Sequence, residues 1–190
     1  MSDLDDAAPG WDSIDAAIAP VVGTNLPEHF GTGVGLPDQD GLWGVSAYRL
    51  DHCWFLVTYG LSELFGKVSD DPVVSGWGEE LTMRTAPSEG VPVWAVRLLA
   101  RLGELVFERS TPFMPGGRLE LPDAGGSVPP AVCWVPDRDL GSIETVHGSV
   151  AFVQTVGVSL EELERMRSTS TDAVVSDLRQ ADPFLRWPRS

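Results

Sequence analysis

Two hydrophobic periods run along this chain, one near 3.6 residues and one of two, and they divide it into helices and strands. In GWDSIDAAIAPVV, Ile14, Ala17, Ile18 and Val21 fall on one helical face. Asp12 or Ser13 can cap that helix with a side-chain oxygen, and Pro20 helps end it. WGVSAYRL (43–50) and CWFLVTY (53–59) are rich in β-branched and aromatic residues, and only Asp51 and His52 separate them. That spacing predicts a tight antiparallel hairpin. In EELTMR (79–84), Leu81 and Met83 alternate with Glu80, Thr82 and Arg84, the pattern of a half-buried strand. VPVWAVRLLARLGELVFER (91–109) carries one apolar stripe of Trp94, Leu98, Leu102, Leu105 and Val106. Pro92 suits its first position, and the stripe should lie across a sheet. Strands follow at AVCWV (131–135) and VAFVQTV (150–156). Ser159 and Glu162 then have the spacing of a capping box. A last helix spans about 172–181, before Pro183.

Between these elements the chain is irregular. Residues 1–10 read as a disordered acidic tail ahead of a single domain over 11–190. Val22 to Gly44 and Ser110 to Pro130 are rich in Gly and Pro and read as long connections. The chain's 190 residues include 43% hydrophobic residues and seven Trp. A chain of that size buries a sizeable core without disulfides or a structural metal.

Charge narrows the partners. The net charge is −15, so phosphates are repelled. A nucleic acid or an anionic membrane surface is not an expected direct partner, and a basic one is favoured. The N-terminus MSDLDDAAPG lacks the basic and apolar regions of a secretory signal, and no apolar run reaches membrane-spanning length. Cytoplasmic placement is therefore expected. Cys53 and Cys133, each beside a Trp in a strand, are expected to be reduced and buried.

Candidate chemistry fails on spacing. Five residues separate Gly60 from Gly66, and Val68 follows Lys67 where a phosphate loop requires Ser or Thr. GTGVGL (31–36) has its third glycine one place early and Pro37 where a helix should start. His29, His52 and His147 are far apart and no partner stands at metal-ligand spacing, so no metal or other cofactor is expected. No Gly-x-Ser-x-Gly elbow exists. A hydrolase built on Asp70 and Glu79 has no motif behind it.

The stretch VTYGLSELFGKVSDDPVVSGWGEELTMR (57–84) then reads as a shaped surface, with Gly76 and Gly78 free to aim Trp77 as an anchor for a partner. The alternative is that Trp77 closes one end of the core.

HCWFLVTYGLSELF, SGWGEELTMR, WAVRLLARLGELVF and FVQTVGVSLEEL resemble the Suppressor of fused family, specifically its bacterial single-domain members. The resemblance runs from about Trp11 to about Asp182. It is most specific in Tyr59-Gly60-Leu61-Ser62-Glu63-Leu64 and in Ser75-Gly76-x-Gly78-x-Glu80-Leu81-Thr82. It implies an α+β fold, a central twisted, mostly antiparallel or mixed sheet with packed helices, and a non-catalytic role. The animal member regulates the hedgehog pathway and grips a transcription-factor peptide as an added strand between two domains. Bacterial relatives are thought of as immunity proteins against polymorphic toxins. By resemblance, Phe65 stands at the family's peptide-binding aromatic, and Asp70 or Asp71 near its acid. Glu79 replaces a residue that is usually apolar, and Thr155 one that is usually aliphatic.

Three functions follow as expectations. The first is an immunity protein that occludes a basic toxin domain through Phe65, Asp70, Asp71 and Trp77, with charge from Glu79. The second is a module that takes an extended peptide at a sheet edge. The third is a carboxylate-based hydrolase.

Overall fold

The computed structural model describes residues 8–32, 41–122 and 124–189. In chain order the elements are α1 (Pro9–Val22), β1 (Glu28–Gly31), β2 (Gly44–Arg49), β3 (Trp54–Tyr59), β4 (Val74–Thr85), α2 (Val93–Arg109), β5 (Arg118–Glu120), β6 (Ala131–Pro136), β7 (Ser142–Thr145), β8 (Gly148–Val158), α3 (Leu160–Ser168) and α4 (Thr171–Ala181). The strands form one sheet in the order β1-β2-β3-β4-β8-β6-β5, and β7 pairs with β8. All pairings are antiparallel except β4 with β8. The expected α+β fold with a mixed sheet is the one observed.

Strand alternation sends side chains to two faces. On one face, Val45, Leu56, Leu81, Met83 and Val132 pack with Leu99, Leu102 and Val106 of α2. On the other, Phe55, Val57, Tyr59 and Phe152 pack with Ile14, Ile18 and Val22 of α1. Farther along that second face, Cys133, Val156 and Val158 meet α3 and α4. Cys53 and Cys133 are free and buried. Burial pushes their thiols up to about 11 and about 12.

Several boundaries differ from expectation. The first helix starts at Pro9, inside the stretch read as a tail, because Pro occupies the first turn. Ala8 precedes it with no side-chain cap, and Ser13 instead donates back to the Pro9 carbonyl at 2.7 Å. Residues 1–7 lie outside the described residues. The connection after α1 contains β1. Pro92 is the N-cap residue of α2, one step before its first turn. The capping box at Ser159 and Glu162 forms as read.

The largest departure is in β4. Its polar positions are covered: Glu80 is 0% exposed, Thr82 0% and Arg84 1%. Both faces of the strand carry helices or loops, so its period of two marks two kinds of interior. Arg84 meets Asp137 at 2.7 Å and Asp139 at 2.9 Å, and its guanidinium lies 4.9 Å from the Phe55 ring centre. Thr82 donates to Asp137 at 2.6 Å. The C-terminal tail closes over the end of this strand through a parallel bridge between Thr85 and Trp187.

A candidate partner-binding face

The β3–β4 ladder stops at the pair Val57 and Thr82. Beyond it, side chains take over the hydrogen bonding that the backbone requires. Oε1 of Glu80 accepts from the Gly60 amide (3.0 Å), the Ser62 amide (2.9 Å) and Ser62 Oγ (2.7 Å). Its Oε2 accepts from Thr58 Oγ1 at 2.6 Å, and that hydroxyl accepts from the Leu81 amide at 2.8 Å. Burial pushes the Glu80 carboxyl up to about 7 against the pull of these four donors.

Glu63 organises the next part of the loop. Its carboxylate accepts from the amides of Val68 (2.5 Å), Ser69 (2.6 Å) and Gly76 (3.1 Å) and pairs with Lys67 at 3.0 Å. Burial works to raise Glu63, but the three amides and the ammonium outweigh it and hold the carboxyl at about 2. Gly76 has φ +57°, and a Cβ there would stand 2.6 Å from the Leu61 carbonyl. Glycine is therefore required where β4 begins to cross the loop. At the base, the Gly10 amide of α1 donates to the Leu64 carbonyl at 2.9 Å.

A carboxyl held low stabilises the fold above its ordinary range, and that contribution is lost as pH falls towards 2. Glu63→Gln should therefore lower stability at pH 6 and converge on the parent as pH falls through 4.5 towards 2. Urea unfolding of both proteins over that range checks it; a pH-independent difference would contradict the anionic clasp.

The loop walls a cavity of about 330 Å³ lined by Trp43, Leu61, Phe65, Val68, Trp77 and Phe107, among others. Phe65 is half-buried, with its ring 4.7 Å from that of Trp43. Trp77 meets Phe107 edge-on at 5.8 Å.

The sequence-predicted residues divide. Phe65 lines the cavity. Asp70 and Asp71 are exposed on the same loop, and Asp71 accepts from the Val73 amide at 2.8 Å, which shapes the turn into β4. Trp77 lines the cavity as well. It sits within β4, half-buried, and its amide donates to the Leu61 carbonyl at 2.8 Å. Glu79 is corrected most: it is 3% exposed, accepts from the Phe113 amide at 2.8 Å, and burial pushes it up to about 7. It offers no surface charge. Neither Asp70 nor Glu79 lines the cavity, so that cavity does not unite the pair suggested for hydrolysis. Among the described residues, no group of three or more His, Cys, Asp or Glu is placed to hold a metal ion, and no helix is long and apolar enough to cross a membrane.

Sequence reasoning missed Glu63 and Glu80 as the residues that set the shape. The signal was present: each acid stands among Ser and Gly, whose exposed amides and hydroxyls need an acceptor when buried.

The family model described as Suppressor of fused protein (SUFU) matches residues 38–187. The human and mouse Suppressor of fused homologs are each 29% identical over 165 residues, 76% of this chain and 34% of theirs. The chain thus spans about a third of the length of these curated relatives. Among solved structures, the Sufu–Fu complex is similar with a TM-score of 0.84 at 26% identity, covering 95% of this chain and 90% of the other. Drosophila Suppressor of Fused gives 0.79 at 25% identity, covering 95% and 49%. A SUFU homolog from Neisseria gonorrhoeae gives 0.65 at 14% identity, covering 90% and 88%, a likeness of fold. With a match that runs from the connection before β2 to the tail beside β4, the chain belongs to the Suppressor of fused protein family.

Proposed function

We propose that this protein is a non-catalytic polypeptide-binding domain that acts in the cytoplasm as an immunity protein, covering the working surface of a basic toxin with the face built by residues 60–78. The observation that carries this reading is the pre-shaped loop. Glu63 and Glu80 fix its backbone from inside, so little ordering entropy is lost when a partner docks. Phe65 and Trp77 border an open apolar cavity, while Asp70 and Asp71 stand exposed beside it. The relative solved with Fu supports a polypeptide as the class of partner. A net charge of −15 attracts a cationic domain over a distance and speeds encounter.

The test is a partner captured from the native host, followed by affinity measurements against salt. A basic partner should bind about tenfold more weakly when ionic strength rises from about 0.05 to 0.3 M. Asp70→Asn/Asp71→Asn should remove much of that salt dependence. The amide oxygen introduced at the second of these positions would still accept from the Val73 amide, so the loop shape is retained. Affinity that is indifferent to salt and equal in the double variant would overturn the charge-steered reading.

A further inference from the structure

The cavity is bordered by more aromatic surface than a simple apolar slot requires. Trp43, Phe65, Trp77 and Phe107 all line it, and all four are half-buried, so each shows part of its ring system. They form two pairs: Trp43 with Phe65, tilted at 54°, and Trp77 with Phe107, at 86°. Neither pair is stacked face to face, so ring faces are not all consumed by the pairing. The faces of aromatic rings carry negative potential and attract cations. The loop that walls the cavity holds Glu63, Asp70 and Asp71 against the single cation Lys67, so its own field is negative as well.

We propose that this cavity is a receptor for a guanidinium group, filled by one arginine side chain projected from the partner polypeptide. The inference rests on the reading of the 60–78 face as the docking surface and names the chemistry it recognises. Arginine fits on three counts. Its alkyl stem covers apolar surface at the exposed Val68 and along the half-buried rings. Its planar head is weakly hydrated and stacks on aromatic rings, so entering a half-closed cavity costs it less than it costs an ammonium. The volume of about 330 Å³ exceeds one side chain, leaving room for water on the rim. Glu63 is not the counter-ion, because its oxygens are committed to the amides of Val68, Ser69 and Gly76 and to Lys67. Attraction comes from the rings at short range and from Asp70 and Asp71 at longer range.

The probe is a set of blocked tripeptides, acetyl-Gly-X-Gly-amide, with X as arginine, lysine, citrulline or norleucine. Binding is read from the indole N–H resonances of Trp43 and Trp77 in the intact protein. The arginine peptide should bind with a dissociation constant in the range of about 1–10 mM and shift both indoles. Citrulline keeps the shape and hydrogen bonding without the charge, and norleucine keeps only the stem. Each should bind about tenfold more weakly, and lysine should fall between them and arginine. Trp77→Leu and Phe65→Leu, in variants that retain the parental circular dichroism, should each weaken arginine binding about threefold or more. In case either variant fails to fold, the four-peptide ranking on the unaltered protein decides alone. Norleucine binding as tightly as arginine would overturn the guanidinium receptor while leaving the face as an apolar docking surface. An arginine peptide that moves neither indole at about 10 mM would overturn it too. Failure of the docking face itself would show differently, as a captured partner whose affinity ignores changes throughout residues 60–78.

Discussion

Arg84→Met should destabilise the fold by about 3–5 kcal/mol at pH 7, because it strands a buried carboxylate. Asp137 is 3% exposed and takes two bonds from the Arg84 guanidinium, at 2.7 and 3.2 Å. Burial alone would raise its carboxyl. The guanidinium reverses this and holds it below the ordinary range. Without Arg84, only the Thr82 hydroxyl and the Asp139 amide remain to serve the charge. The sign with pH follows. In the parent, Asp137 stabilises the fold above the unfolded carboxylate range, and that contribution is lost as pH falls through its lowered value. In the variant the group is destabilising when ionised, so the gap between the two proteins should narrow as pH falls from 7 towards and through the ordinary carboxylate range and Asp137 takes a proton. Urea denaturation at pH 7 and pH 3.5 measures both points. Arg84→Met/Asp137→Leu should recover most of the loss, since an apolar pair of similar volume needs no counter-charge. A loss below about 1 kcal/mol, or one that stays constant with pH, would mean that packing against Phe55 and not charge is what Arg84 contributes.

The same strand shows what the sequence could and could not convey. The 3.6-residue stripe of α2 and the hairpin of β2 and β3 were legible because each element carries a regular contrast of residue types. Periodicity reports that contrast directly. The alternation in β4 suggests inside against outside, yet Glu80, Thr82 and Arg84 are as buried as Leu81 and Met83. A pattern of types cannot distinguish water from a polar interior, because both accept polar side chains. The partners that make that interior, Asp137 just past β6 for Arg84 and Ser62 from the loop for Glu80, lie 53 and 18 residues away, beyond any local window. β1, β5 and β7 were missed for another reason. They are three or four residues long, and too few positions are present to establish a period. For the candidate site, glycine chemistry singled out the 57–84 stretch with Gly76, and resemblance added Phe65, which lines the cavity. Glu79 was misplaced because an acid beside an acid looks exposed in one dimension. Its place two residues before Leu81 puts it on a covered face of β4.

Glu80 joins fold and site, and its replacement should cost both. Glu80→Leu leaves three donors without an acceptor, the Gly60 and Ser62 amides and the Ser62 hydroxyl, and leaves the Thr58 hydroxyl only the Leu81 carbonyl at 3.4 Å. At about 1–3 kcal/mol for each buried group left unpaired, less whatever water recovers, a loss of about 3–5 kcal/mol is expected. Residues 60–62 also form part of the cavity wall, so partner binding should weaken together with stability. Glu80→Gln is the informative contrast. The amide oxygen can still accept from Gly60 and Ser62, and its nitrogen can donate to Thr58 Oγ1, so the loop should hold. What changes is the pH response. A carboxyl raised to about 7 favours the folded state fully below about 4.5 and progressively less as pH climbs towards 7. That slope should be shallower in Glu80→Gln, so the amide variant should gain on the parent between pH 4.5 and 7.5 by up to roughly 3 kcal/mol. Glu79 is raised by its own burial and also by the charge of Glu80, so Glu80→Gln lowers it as well and makes the slope shallower in the same direction. If parent and Glu80→Gln kept a fixed separation across that window, the Glu80 carboxyl would not be raised by its burial, and the donors around it would fully offset its desolvation.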